Sequence, residues 1–262
     1  MAEDVFVSLI LLIPQVTVLA LLVAVTIGMI RRTGSITAVF LAFCLTLWLF
    51  SDLYWVIYDN MFPEIRMPFA ANEIGEFSMF LMSAATINSA SARKLRSLPI
   101  MIGAAVFGGC NVVFWGLWSG EWLQDIVIGL VFTWVIYAAA NSLKSSHALV
   151  RWEWRTLGVL CTLALGAQAL TFVLDEDGAA ASELVGYILL AVGAACMAAE
   201  LIRAVRSKAA PRVLFALSSA AMVWMLTAKY LTDGYWYNAF LLLETLSIIC
   251  WVLSARRVVN ES

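Results

Sequence analysis

A chain of 262 residues that is 63% hydrophobic and only 13% charged carries more apolar surface than a soluble fold can bury, and its mean hydropathy is +0.91. The net charge of −2 excludes the basic balance of a nucleic-acid-binding protein. No polar stretch is long enough for a second domain, so residues 1–262 are predicted to form a single transmembrane helical domain.

The first apolar run, Val5 to Ile30, follows the acidic Glu3 and Asp4 and lacks the basic flank of a signal peptide. It ends at Arg31 and Arg32 and is predicted as a retained first span. A helix needs roughly 20 residues to cross the hydrocarbon core. By that measure the apolar runs predict nine spans, over 5–30, 35–58, 69–91, 98–118, 122–142, 156–174, 183–204, 212–232 and 236–255. The runs are continuous rather than alternating, which favours helices over a barrel. After the first span they read as four hairpins, with predicted tips at Tyr58 to Pro68, Ser119 to Glu121, Asp175 to Ser182 and Asp233 to Tyr235. Internal repetition is compatible with this pattern but no hairpin aligns on another.

Charge fixes the orientation. All but Arg66 and Lys229 of the 16 Lys and Arg residues fall at alternate boundaries, in the groups Arg31/Arg32, Arg93/Lys94/Arg96, Lys144/Arg151/Arg155, Arg203/Arg206/Lys208/Arg212 and Arg256/Arg257. All but Glu153, Glu200 and Glu261 of the 18 Asp and Glu residues lie toward the opposite boundaries. The positive-inside bias therefore predicts an all-α polytopic integral membrane protein with its N-terminus outside and its C-terminus cytoplasmic. The expected location is the cell membrane. Trp55, Tyr58, Trp115, Trp118, Trp122, Tyr235, Trp236 and Tyr237 are predicted to form an outer aromatic belt, and Trp152 and Trp154 an inner one.

Chemistry is sought first among ionisable residues inside spans, because a charge at depth costs several kcal/mol unless paired or hydrated. Asp52, Glu73, Glu76, Lys229 and Glu244 stand out, all in the outer half of their spans. Glu73 and Glu76 share one helix face with Phe80 and Ser83. One polar, acidic pocket open to the outside is expected, with Lys229 neutralising Asp52, Glu76 or Glu244. Simpler roles are open for some of these residues. With Asn72 as N-cap, Glu73 and Glu76 also suit a helix's first turn. Lys229 also suits an outward snorkelling pair with Asp233. Asp125 and Glu183 read as helix-start acids, and Glu200 as a local partner of Arg203.

The inventory narrows the chemistry. The only histidine, His147, lies in a predicted loop, which excludes a bis-histidine haem and a multi-histidine zinc site. Cys44, Cys110, Cys161, Cys196 and Cys250 fall in different spans without CxxC spacing and read as packing residues. No phosphate-binding or hydrolase-elbow motif is present. Lys229 lacks the surroundings of a retinal-binding lysine, and no cofactor or metal is expected. Abundant small residues, including Gly108/Gly109, Ala191 to Ala199 and Ala216 to Ala221, favour close helix packing. Pro14 is the only proline in mid-span, which argues against a transporter site built from interrupted helices.

The segment Phe50-Ser51-Asp52-Leu53 resembles the aspartate-bearing region of the lysoplasmalogenase family of eight-span membrane hydrolases. That family's second aspartate-bearing span has no counterpart, since Thr227-Ala228-Lys229 stands there, and its active site is not transferred. A looser likeness is to the multispan sensory modules of bacterial cyclases and kinases. The leading expectation is binding of a small polar or cationic ligand from outside, for sensing or transport. The first alternative is an intramembrane lipid hydrolase using paired carboxylates, which requires a lipid-sized cleft beside Asp52. The second is an accessory subunit, or a homo-oligomer, whose acids pair with a partner helix.

Overall fold

Long apolar runs form helices in lipid because each backbone N–H finds its acceptor within its own segment. The computed structural model describes residues 2–59, 71–91 and 97–261, and all regular structure among them is helical. α1 spans Ala2–Thr33 and α2 Ile36–Tyr54, continued by a π-helical turn at Trp55–Asp59. α3 spans Ala71–Ala90, α4 Leu98–Ser119, α5 Trp122–Ser145 and α6 Arg151–Leu170. α7 spans Glu176–Arg206, α8 Pro211–Tyr230 and α9 Gly234–Glu261. Residues 60–68 of the first predicted tip, and the Arg93/Lys94/Arg96 group, lie outside the described residues.

Extensive contacts join α2 to α3, α8 to α9, α4 to α5 and α6 to α7, the four predicted hairpins, and α1 packs as extensively on α2 as α6 does on α7, and also on α9. The short α4–α5 connection closes on Gly120, whose φ of +76° gives a left-handed cap and lets its N–H reach the Gly116 carbonyl at 3.1 Å. Among the described residues seven helices are long and apolar enough to cross a membrane; α3 and α6 are the others. α3 carries Asn72, Glu73, Glu76 and Asn88, and α6 opens with Arg151, Glu153 and Arg155.

Two helix starts lie five or more residues before their expected positions, and capping explains both. α6 begins before 156 because the Glu153 carboxylate accepts from the Val150 N–H at 2.8 Å. α7 begins before 183 because Asp175 caps the Gly178 N–H at 3.1 Å. Glu183 is therefore not a helix-start acid. It lies within α7 and accepts from the Tyr187 hydroxyl. Asn72 likewise sits inside α3, whose described start is Ala71, rather than at its N-cap.

α8 is the central helix. Of its most apolar stretch 83% is buried, against 28% for α1 and for α4. Its mean hydropathy of 1.4 is the lowest of the seven, as expected of a helix whose neighbours are protein rather than lipid. The main core joins Leu45 and Trp48 of α2, Phe80 of α3, Phe132 of α5, Met222 of α8 and Trp251 of α9. Fold and charge placement together define a polytopic all-α membrane protein.

Candidate functional site

Helical side chains lean toward the N-terminus of their own helix. Lys229 on α8 thus leans toward the basic, inner side of the bundle, and Glu244 on the antiparallel α9 leans outward. They meet: Lys229 Nζ lies 3.0 Å from Glu244 Oε2, and both side chains are buried. Lys229 therefore reaches into the bundle instead of snorkelling to Asp233. Of the partners expected for it, the structure selects Glu244.

A second chain of contacts joins α1, α2 and α9. Gln15 donates from Nε2 to Asp52 Oδ2 at 3.0 Å and accepts at Oε1 from the Thr245 hydroxyl at 2.8 Å. Asp52 is thereby tied to the residue beside Glu244. Its helix is held against α3 by the Ser51 hydroxyl, which donates to the Asn72 carbonyl at 3.0 Å. A Cβ at Gly75 would stand 3.2 Å from Ser51 Cβ, so only glycine permits this approach without adjustment.

Glu76 forms the third part, accepting a hydrogen bond from the Tyr230 hydroxyl. Asp52 lies within electrostatic reach of Lys229, Glu244 and Glu76. Glu76 lies within reach of Lys229, Glu244 and Glu73. Glu73 occupies the first turn of α3, where it also complements the helix dipole. An aromatic wall closes one side, with Phe80, Trp115 and Phe132 set 6.2, 5.8 and 6.3 Å from the Tyr230 ring. Lys229 Nζ sits 5.0 Å from the Tyr230 centroid, within cation–π range. Trp115 belongs to this inward wall rather than to the outer belt.

Among the described residues the balance of the group is acidic: Asp52, Glu76 and Glu244 stand against Lys229. Glu244 is 0% exposed, and its Oε1 has no hydrogen-bond partner. An ionised carboxylate in that position is only partly compensated among the described residues, by Lys229 and the nearby Gln15 amide. Cationic or proton-donating chemistry fits there.

Gln15, Tyr230 and Thr245 were not among the residues singled out from sequence. Gln15 carried a readable signal, an amide inside the otherwise apolar first run. Tyr230 and Thr245 each adjoin a singled-out residue, but adjacency on a helix does not fix orientation. Asp125 accepts from the Ser119 hydroxyl at 2.6 Å in the first turn of α5, in keeping with a helix-start role. Glu200 pairs with Arg203, which also reaches Glu153 at 2.7 Å.

An apolar cavity of about 610 Å³ lies elsewhere, among α4, α5, α6, α7 and α8, and neither Asp52, Glu76 nor Glu244 lines it. Comparison with protein-family models, curated proteins and solved structures gave no match for this chain.

Proposed function

We propose that the Asp52–Glu76–Lys229–Glu244 cluster binds a small cationic or polar ligand entering from the outer face, as part of sensing or transport at the cell membrane. The observation that carries this reading is the buried Glu244, paired on one oxygen with Lys229 and with no well-formed hydrogen bond on the other, among the described carboxylates Asp52, Glu76 and Glu244 that outnumber their described cation. A protonated amine or a small inorganic cation supplies the missing charge and donors. The π-helical turn that begins three residues after Asp52 supports the reading, since such turns recur at functional sites. The lipid-hydrolase alternative draws no support from the cavity, which lies away from Asp52. The partner-helix alternative is weakened because Glu244 faces Lys229 of its own chain.

The test is thermal unfolding of the detergent-purified protein against a panel of inorganic cations, amines and amino acids. A ligand at about 100 times its Kd stabilises by roughly 2.7 kcal/mol. The expected result is a stabilisation by one chemical class that is lost in Glu244→Gln and Asp52→Asn. A wild type that responds to no member, or variants that respond like wild type, overturns the proposal.

A further inference from the structure

The cavity among α4 to α8 is a second feature, independent of the polar cluster. Its wall includes Pro99 and Gly103 of α4, Leu143 of α5, Trp154 and Gly158 of α6 and Trp224 of α8. The volume of about 610 Å³ lies within the usual span of ligand pockets, about 300–1,000 Å³. Its polar side chains are already satisfied. Thr162 donates to the Gly158 carbonyl at 2.8 Å, Thr227 to the Val223 carbonyl at 2.8 Å, and Trp224 Nε1 to the Leu190 carbonyl at 3.0 Å. A polar ligand would find few partners on such a wall, and a hydrocarbon chain needs none.

The cavity opens sideways between α4 and α6, where the lining residues Gly103, Val106, Gly158 and Thr162 are exposed. Those exposed faces meet bilayer. The opening has free space at both helices, since a Cβ built at Gly103 or Gly158 meets nothing within 4 Å. One end of the cavity is basic. Lys144, in the last turn of α5, donates from Nζ to the Ser97 hydroxyl at 2.8 Å, and Ser97 adjoins the start of α4 two residues before Pro99. Arg151 is exposed at the start of α6, three and seven residues before Trp154 and Gly158, and so projects from the helix face that lines the cavity. Glu153 does not offset this charge, because Arg203 and the Val150 N–H occupy its oxygens.

We infer that this cavity holds one acyl chain of an anionic phospholipid from the cytoplasmic leaflet, with its phosphodiester at Lys144 and Arg151. The chain enters between Gly103 and Gly158 and lies against α8, the helix that also carries Lys229. Basic groups at a cytoplasmic opening between helices are a known match for anionic headgroups.

The test uses native mass spectrometry of delipidated protein titrated with phosphatidylglycerol, phosphatidylcholine or palmitate. The expected result is one tightly held phosphatidylglycerol per chain, with phosphatidylcholine on the order of tenfold weaker. Lys144→Ala/Arg151→Ala removes that preference, and Gly158→Leu removes the tightly held molecule. Gly109→Leu, on α4 where a Cβ meets nothing and outside the cavity wall, retains it. Thermal unfolding of each lipid-free variant shows that it is folded before titration. Equal binding of the two phospholipids, palmitate binding as tightly as phosphatidylglycerol, or full binding by folded Gly158→Leu overturns the assignment.

Discussion

Within the polar cluster, the cost of losing a charge depends on what remains behind. Removing one partner of a buried ion pair costs about 3–5 kcal/mol, chiefly because the other is left uncompensated. Lys229→Met leaves Glu244, Asp52 and Glu76 together without a cation among the described residues, since Lys229 is in reach of all three. Glu244→Gln leaves Lys229 with Asp52 and Glu76 still in reach, so its cost falls well below that range. The midpoint of thermal unfolding in detergent is thus expected to drop further for Lys229→Met than for Glu244→Gln, and Lys229→Met/Glu244→Gln to recover part of the loss. Equal drops for the two single variants would show that Lys229 interacts with Glu244 alone. The residues of this cluster were legible because charge inside an apolar run is costly wherever it points. Their pairing was not, because Asp52, Glu76 and Glu244 lie at similar depths and apolar neighbours on every face conceal helix rotation. Gln15 was overlooked because an uncharged amide costs less to bury and stands out less.

At the level of elements, the hairpins rest on close contacts that a sequence shows only as abundant small residues. In α4 and α5 the notches are reciprocal: a Cβ at Gly108 would stand 1.7 Å from Thr133 Oγ1, and one at Gly129 2.1 Å from Val112 Cγ2. The β-branched side chain of each helix occupies the glycine notch of the other. Thr133 has little room to turn away, because its hydroxyl donates to the Gly129 carbonyl at 2.7 Å. Gly108→Val is therefore expected to destabilise by about 1–3 kcal/mol, the usual cost of overpacking. Gly109→Ala, where a Cβ meets nothing, is expected to unfold at or above the wild-type temperature. Paired melting curves of these neighbouring variants separate a packing effect from a general change in helix propensity. The same divide between pattern and contact explains the displaced starts of α6 and α7. Arg151-Trp152-Glu153 and Glu176-Asp177-Gly178 read as loop by polarity, yet Glu153 and Asp175 cap them into helix.

For the whole molecule, the number of crossings is decided by α3 and α6, which at 20 residues each are long enough for a membrane span but not apolar enough. Treating both as non-crossing leaves seven spans, and that topology agrees with nine crossings at the starts of α1, α7 and α9 and at the ends of α7 and α9. The two differ around α4 and α5 alone: seven spans place Ser119 inside and Val150 outside, and nine do the reverse. Two arguments favour nine. Seven spans put Lys144, Arg151 and Arg155 outside, against the positive-inside bias. They also leave α3 and α6 outside the hydrocarbon, although α3 packs on α2 and α5, and α6 on α7. Burial against neighbours lets α3 carry its carboxylates across, with Glu73 buried and Glu76 bonded to Tyr230. In a background with the five cysteines replaced, a membrane-impermeant maleimide applied to intact cells is expected to label Ser119→Cys but not Val150→Cys, which reacts only after permeabilisation. Glu176→Cys and Ser207→Cys, outside and inside under both topologies, calibrate the assay. The opposite pattern at Ser119 and Val150 would reduce the count to seven and move the basic end of the α4–α6 opening to the outer leaflet. The polar cluster would keep its sidedness, because α1, α2, α8 and α9 face the same way in either case.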